Sequence, residues 1–550
     1  MTKGPASRLA RLSMRSLQSI AGRTWTAWRP PGRFTKNPDV VSLPDGRLLA
    51  VYAETDKHWA EGLIELTLIQ SHDLGRTWSH AGVVERSDRS RREPHWVTPR
   101  IAIIGGRRLV VTCDRDDFEH AHEAQDPGIY AWWSDDWGCT WSAPVNIGVR
   151  GIEPDRIIEL PDGRLSMGSH MVVASTQKLT EFIWRSSDGG RTWGTPVQVA
   201  GDPVHLYCEG AYVNLRGGAL ACVLRDNLHQ NYPSQVAFSF DSGDSWSAPQ
   251  EAPFAGDRPY ACQVPDGRVL VTYRNKGGTP GTHAWVGHLG QNLGYRVSSM
   301  RRGPAVRSFD AGGAMVVHHP VAATTQFNLL PPESYRSEVL FEAQVRVAGT
   351  TGSPDEACAM VRLAHVNVRL LITPTGLALG QPDLHHQVID RTWPADMTIW
   401  RSVRVHHRAG LVRVFLDGVD VLRFRLPLPG PFVPTCFGSP DRSTGTSYWR
   451  TVSYAIRNPS EPGWTWLWDA ASKRFPDQYE IDNIVELHAN DHEFPDNGYS
   501  SWVPVGEDRY LVLDYTNDGD PLGQSHIVAC DLRLADFEEM GGSLSRPNQA

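Results

Sequence analysis

The amino-acid sequence predicts an all-β fold in which one small sheet unit is repeated along the chain, with a second β unit set among the copies. Three observations carry this. An eight-residue pattern, Ser-x-Asp-x-Gly-x-Thr/Ser-Trp, occurs four times between residues 71 and 246. A second turn signature, Pro-Asp-Gly or a looser version of it, recurs five times before about residue 300 and once more near the C-terminus. Between them lies a stretch, about 305 to 465, that alternates as strands do and contains no copy of the first pattern.

The four copies are Ser71 to Trp78, Ser134 to Trp141, Ser186 to Trp193 and Ser239 to Trp246, spaced by 52 to 63 residues. Each follows an alternating run such as Ile64 to Ile69, which reads as a strand. Ser and Asp side chains bond turn amides, Gly permits positive φ, and Trp can plug a gap between sheets. This is turn chemistry, structural in itself. The second signature, at Pro44-Asp-Gly46, Pro161-Asp-Gly163 and Pro265-Asp-Gly267, marks tight turns after an apolar strand, with Ile104-Gly-Gly106, Arg216-Gly-Gly218 and Gly506-Glu-Asp508 as looser versions.

The eight-residue copies are Asp-boxes (BNR repeats), and on them the chain resembles the sialidase (neuraminidase) superfamily of six-bladed β-propellers. Six turns then imply six blades: a six-bladed sialidase-like β-propeller with a β-sandwich inserted between blades 5 and 6. The expected organisation is an N-terminal arm over 1–33, blades 1 to 5 over 34–304, the insertion over 305–465, and blade 6 with closure over 466–550. Within the insertion, Glu338 to Val347, Trp400 to Val405 and Leu411 to Leu416 alternate, and Asp417-Gly418 signals a hairpin before Val419 to Leu426. It resembles a concanavalin/laminin-G-like sandwich, a fold used by many carbohydrate-binding modules; glycan binding and a spacer or oligomer-contact role stay equally open.

Composition narrows the class. The 550 residues carry 54 Lys+Arg against 62 Asp+Glu, a net charge of −8 that gives no reason to expect nucleic-acid binding. Residues 1–33 hold seven basic and no acidic residues and read as a loosely ordered arm, with no apolar run long enough for a signal segment or a membrane span. Eight cysteines lie without a Cys-x-x-Cys pair, which fits reduced thiols. The expectation is a cytoplasmic protein with no membrane partner and no cofactor, non-classical secretion remaining open. A polar stretch, Asp114 to Asp117 with His120, His122 and Glu123, has no recognised metal-ligand spacing and reads as a loop over a pocket mouth.

Counting seven residues back from the first residue of each turn triplet gives the start of each innermost strand. These positions are Asn37 with Lys36 beside it, Val97, Pro154 flanked by Glu153 and Asp155, Glu209, Arg258 and Tyr499. The resemblance implies that this ring lines the active site, and charged groups crowded there cost desolvation unless paired or used. Tyr499, in Gly498-Tyr-Ser-Ser-Trp502, is similar to the segment carrying the sialidase nucleophile. Glu209, in Cys208-Glu-Gly-Ala-Tyr-Val213, is followed sixteen residues later by Arg225, the family's spacing of general base and carboxylate-binding arginine. A sialic acid bears a carboxylate on its anomeric carbon and would repel an anionic nucleophile. A phenol stays neutral until its base takes the proton.

Guanidinium groups suit the substrate carboxylate, and Arg225, Arg258 and Arg274 are the candidates. The resemblance places the general acid in the blade 1 loop, where Glu61 fits best and Asp56 is the fallback. Two departures bear on the sugar. Thr35-Lys36-Asn37-Pro38 puts Lys36 where the family has Arg, and Thr279 to His283 lacks the third arginine of the family's triad. The leading expectation is a retaining exo-glycoside hydrolase acting on a terminal acidic sugar, a sialic or related nonulosonic acid. A uronate-specific polysaccharide lyase and a non-catalytic glycan-binding propeller stand as alternatives. Oligomeric state is not read from the sequence.

Overall fold

A computed structural model describes residues 15–538 except 116–127, 204, 228–232, 277, 291–296, 331–335, 350–357, 364–367, 383–386, 426–434 and 458–462. The polar stretch around His120, His122 and Glu123 therefore lies outside the described residues.

Six antiparallel sheets form the blades of a propeller, five of four strands and one that gains a fifth. Blade 1 shows the plan: Phe34–Ser42, Leu48–Thr55, Leu63–Ser71 and Ser79–Asp88 pair in sequence from the inside out. The inner strands of the other blades are Arg100–Ile104, Ile158–Glu159, Tyr207–Asn214, Gly256–Gln263 and Asn497–Gly506. The Pro-Asp-Gly turns join first to second strands. Gly46, Gly163 and Gly267 sit at φ of 86°, 83° and 95°, where a side chain would be strained.

Each of the four Asp-box turns joins a third strand to a fourth. In the first, Ser71 Oγ donates to Asp73 Oδ1 and accepts the Gly75 amide, while Asp73 accepts the Thr77 amide at 2.8 Å and its hydroxyl at 2.6 Å. The same bonds recur around Asp136, Asp188 and Asp241. Trp78, Trp141, Trp193 and Trp246 each pack into the seam with the preceding blade.

Apolar residues of neighbouring blades make six seams that close the ring. Leu49 and Val51 meet Ile101 and Val111 between blades 1 and 2; Val110 and Ile129 meet Met167 between 2 and 3; Ile183 meets Tyr212 and Leu224 between 3 and 4. Val223 meets Phe254 and Val271, Leu270 meets Val512, and Leu511 and Leu513 return to Val40 and Ala50. Burying each such side chain contributes about 1.5–3 kcal/mol, so the seams rather than the turns hold the ring.

The structure sharpens the point of insertion. Blade 5 takes its fourth strand, Ile484–Ala489, from beyond the sandwich, and Arg15–Ser16 adds a parallel fifth. The sandwich thus leaves after the third strand of blade 5 and returns as its fourth, ahead of blade 6. Its sheets take in Val297–Arg302 and Trp464–Asp469, both reaching beyond the expected 305–465. The expectation of a loosely ordered arm over 1–33 is corrected from residue 15 on: Thr24–Trp28 is the outer strand of blade 6, paired with His526–Arg533.

Met315–Leu329 passes from one sheet of the sandwich to the other, its register breaking between His319 and Ala323. Pro320, which has no N–H for a ladder, stands in that break. Phe327, Phe341, Phe437 and Trp449 fill the space between the sheets. Arg307 Nη1 donates to both oxygens of buried Asp477, at 2.8 and 2.7 Å, and Glu480 accepts the Ser299 amide and hydroxyl, fastening the insertion's entry to its exit.

Candidate active site

Five of the six blades carry the same local distortion at or just ahead of the inner strand. Asn37, Glu153, Glu209, Arg258 and Tyr499 all have left-handed backbones, with φ from 49° to 56°. In blades 1, 4, 5 and 6 the ladder register shifts at that point. A non-glycine residue there costs on the order of 1–3 kcal/mol, and such strain gathers at functional sites. Four of these positions are those counted from the turns. In blade 3 the count gave Pro154, but a proline ring locks φ near −65°, so the left-handed residue is its neighbour Glu153. Val97 in blade 2 has no such distortion.

The bulges free backbone amides from the ladder, and side chains take them up. Asp114 Oδ2 accepts the Glu153 amide at 3.0 Å, His170 Nδ1 accepts that of Glu209 at 3.2 Å, and Glu209 Oε2 accepts that of Arg258 at 3.0 Å. Glu153, Glu209, Arg258 and Tyr499 are brought together by this arrangement, while the Asn37 side-chain amide donates to the Val97 carbonyl at 3.0 Å. Tyr499 Oη donates to Glu209 Oε1 at 3.1 Å, and the Arg258 guanidinium lies 3.8 Å from the centroid of the Tyr499 ring. Arg225 Nη1 binds Glu209 Oε1 at 2.6 Å, and its Nε faces Asp257 Oδ1 at 3.0 Å. Arg274 binds the other oxygen of Asp257 at 3.0 Å.

Electrostatics divide these groups. Burial alone would raise the Glu209 carboxyl, but Arg225, Arg258 and Arg274 outweigh it and hold it well below the usual carboxylate range. Burial pushes the Tyr499 phenol well above its ordinary value, against the pull of Arg258, so the phenol is neutral at physiological pH. Burial lowers the Lys36 ammonium to about 8 and the His170 ring to about 4.

Sequence-predicted residues divide accordingly. Tyr499, Glu209, Arg225 and Arg258 share one cluster, with Arg274 joined through Asp257. Lys36 is 2% exposed and donates to the His58 carbonyl at 2.9 Å. Among the described residues the blade 1 loop carboxylates are not bonded to that cluster, and Asp56 lines a cavity with His58 and Asp496. The Glu61 side chain is 75% exposed and paired with Lys57 at 2.5 Å, while exposed Asp56 accepts the Glu61 amide at 3.2 Å.

The register count touches Glu153 only as a flank of Pro154, and singles out neither His170 nor Asp257. The signal for Glu153 was Pro154 itself. His170 pairs in an isolated bridge with Ile152, ahead of the inner strand, as Arg225 pairs with Cys208, so it holds the Arg225 position of blade 3. Asp257 immediately precedes the bulge residue of blade 5.

No family model matches the chain, and no curated protein does. Among solved structures it is similar to a protein of unknown function from Dyadobacter fermentans, at 16% identity over 56% of this chain and 94% of that one, with a TM-score of 0.43. It is also similar to a Trypanosoma rangeli sialidase mutant with trans-sialidase activity, at 12% identity over 76% and 91% and a TM-score of 0.36. A third is a Penicillium chrysogenum α-L-arabinanase complexed with arabinobiose, at 16% identity over 54% and 93% and a TM-score of 0.38.

Proposed function

We propose that this protein is a retaining exo-glycoside hydrolase that removes a terminal acidic sugar, a sialic or related nonulosonic acid, with Tyr499 as nucleophile. The observation that carries the reading is the hydrogen bond from the Tyr499 phenol to a carboxylate, Glu209, that arginines keep ionised. A neutral phenol can approach an anomeric carbon bearing a carboxylate without two anions facing each other. An acidic sugar is favoured by spare donors beside the phenol: Arg100 Nη1 and Arg258 Nε, the latter 3.6 Å from Glu209 Oε1, are buried and make no hydrogen bond among the described residues. Arg225 and Arg274 stand behind them on Glu209 and Asp257, and Lys36 adds a charge without a bidentate fork. Tyr499 attacks as its proton passes to the carboxyl groups beside it, and the departing oxygen takes a proton from the blade 1 loop, where Asp56 and Glu61 lie.

A panel of sialosides, other nonulosonosides and uronides tests this against wild type, Tyr499→Phe and Glu209→Gln. The substrate that turns over should lose about 10³-fold or more in kcat with Tyr499→Phe and about 10²-fold or more with Glu209→Gln. Retained turnover in Tyr499→Phe would sink the mechanism. A product with a conjugated double bond would mark a lyase instead, and binding without turnover a glycan-binding propeller.

A further inference from the structure

The Tyr499 hydroxyl lies between two carboxyl groups of opposite character. Glu209 has both oxygens engaged, Oε1 by Arg225 at 2.6 Å and Oε2 by the Arg258 amide at 3.0 Å. A proton arriving there would break an ion pair. Glu153 is the phenol's second carboxyl neighbour: it carries the same left-handed backbone as Glu209 and Tyr499, and the phenol and this carboxyl shift each other's ionisation. It has no arginine or lysine ion pair among the described residues. Its charged or titratable neighbours are Tyr499 on blade 6, Glu209 on blade 4, Arg258 on blade 5, Asp114 on blade 2 and His170 on its own blade. His170 Nδ1 accepts the Glu209 amide, so the neutral ring carries its proton on Nε2, which faces Glu153 Oε2 at 3.6 Å. The Glu153 side chain keeps 19% of its surface open, enough for exchange with solvent.

We propose that Glu153 is the catalytic proton acceptor for Tyr499, with Glu209 remaining ionised to fix the phenol and His170 positioning Glu153. The role rests on the hydrolase reading above. In the first step the bond from Tyr499 Oη to the anomeric carbon forms and the glycosidic C–O bond breaks. The phenol's proton moves to Glu153, and the leaving oxygen takes one from the blade 1 loop acid. In the second step water bonds to the anomeric carbon, the C–Oη bond breaks, and Glu153 returns its proton to Tyr499 Oη. The loop carboxylate recovers a proton from the water. Burial first, and the charge of Glu209 second, push the Glu153 carboxyl up to about 7, a value suited to giving and taking a proton near neutrality. Glu209, held far below, is too weak a base for the same task.

The test uses the full chain and an acidic aryl glycoside whose leaving group needs little acid assistance. Glu153→Gln should lower kcat about 10²- to 10³-fold with KM within about threefold, and should abolish the acid limb of the pH profile near 7. Glu153→Gly, which suits the left-handed backbone at this position, should regain about tenfold or more of its lost rate with added formate, which stands in for the missing carboxylate. If Glu153→Gln keeps kcat within about threefold, or loses rate with its acid limb intact and no formate rescue of Glu153→Gly, the assignment is overturned while the hydrolase stands. If wild type turns over no acidic glycoside, the hydrolase reading fails first and takes this role with it.

Discussion

Lys36 is a lysine almost wholly removed from water, its ammonium held by one carbonyl and set 6.0 Å from the centroid of the Trp59 ring. Burial lowers its pKa to about 8, with Asp114, Cys113 and Asp496 supporting the charge and Arg258 opposing it. An arginine here would stay charged at any workable pH. If Lys36 meets the substrate carboxylate, its charge disappears as pH rises through 8, so kcat/KM should fall about fivefold between pH 8 and pH 9 on this account alone. Lys36→Arg should flatten that alkaline limb, and initial rates of both proteins across pH 7 to 10 decide the matter: an unchanged limb in the arginine variant would remove Lys36 from substrate binding. At this scale the site was legible wherever one residue in each blade stands at a fixed distance from a turn, as Asn37, Glu209, Arg258 and Tyr499 do. It was illegible where no ladder fixes a side chain. Glu61 and Asp56 sit in a loop whose path depends on Lys57 and His58 rather than on a repeating register.

At the level of the strand, the bulge that turns Glu209 inward is supported by a second carboxyl beneath it. Glu181, on the third strand of blade 3, accepts the Gly210 amide at 3.3 Å and the Tyr212 hydroxyl at 3.1 Å, and Asp155 accepts the Tyr212 amide at 2.8 Å. A Cβ on Gly210 would come within 2.7 Å of Glu181 Oε1, so the glycine after Glu209 is required by this close approach. Nothing in the alternating pattern of the third strand announces Glu181, because its role comes from the neighbouring blade. Burial raises its carboxyl to about 8. The folded state therefore holds a proton that the unfolded chain releases near 4.5. Stability from this group is full below about pH 4.5, falls as pH rises toward 8 and is level above it, a change on the order of 5 kcal/mol. Glu181→Gln carries no such titration and can keep both hydrogen bonds, since Tyr212 also donates to the Phe182 carbonyl. Thermal melts at pH 5 and pH 8 should show the variant gaining on wild type as pH rises. A constant difference would mean that Glu181 is ionised in the folded protein.

For the whole molecule, four Asp-boxes among six blades follow from how the chain closes. The box joins a third strand to a fourth, and only blades 1 to 4 make that connection directly. In blade 5 the sandwich occupies it, and in blade 6 the fourth strand comes from the other end of the chain. The missing boxes thus carried the topology, yet the two strands that complete the ring escaped notice because they are short and isolated from the repeats. Thr24–Trp28 spans five residues, but it is tied from three sides. Arg23 Nε donates to the Asp531 carbonyl at 2.7 Å and its guanidinium pairs with Asp536. The Trp25 indole donates to the Gly75 carbonyl at 3.2 Å, Arg76 stacks on its ring at 4.4 Å, and Leu17 is fully buried in the seam between blades 5 and 6. Trp25→Ala removes the indole's packing, its hydrogen bond and the cation–π contact, and should cost about 2–4 kcal/mol, with a clear fall in Tm. Deleting residues 1–29 should do more. It leaves His526–Arg533 as an open edge and uncovers Leu511, Leu513 and Ile527, which sit in the seam between blades 6 and 1. Because Tyr499 lies on the inner strand of that same blade, activity and thermal stability should fall together. Leu467→Ala, at a 71% exposed edge of the sandwich, should change neither. A truncated chain that melts at the wild-type temperature would show that blade 6 closes without its N-terminal strand.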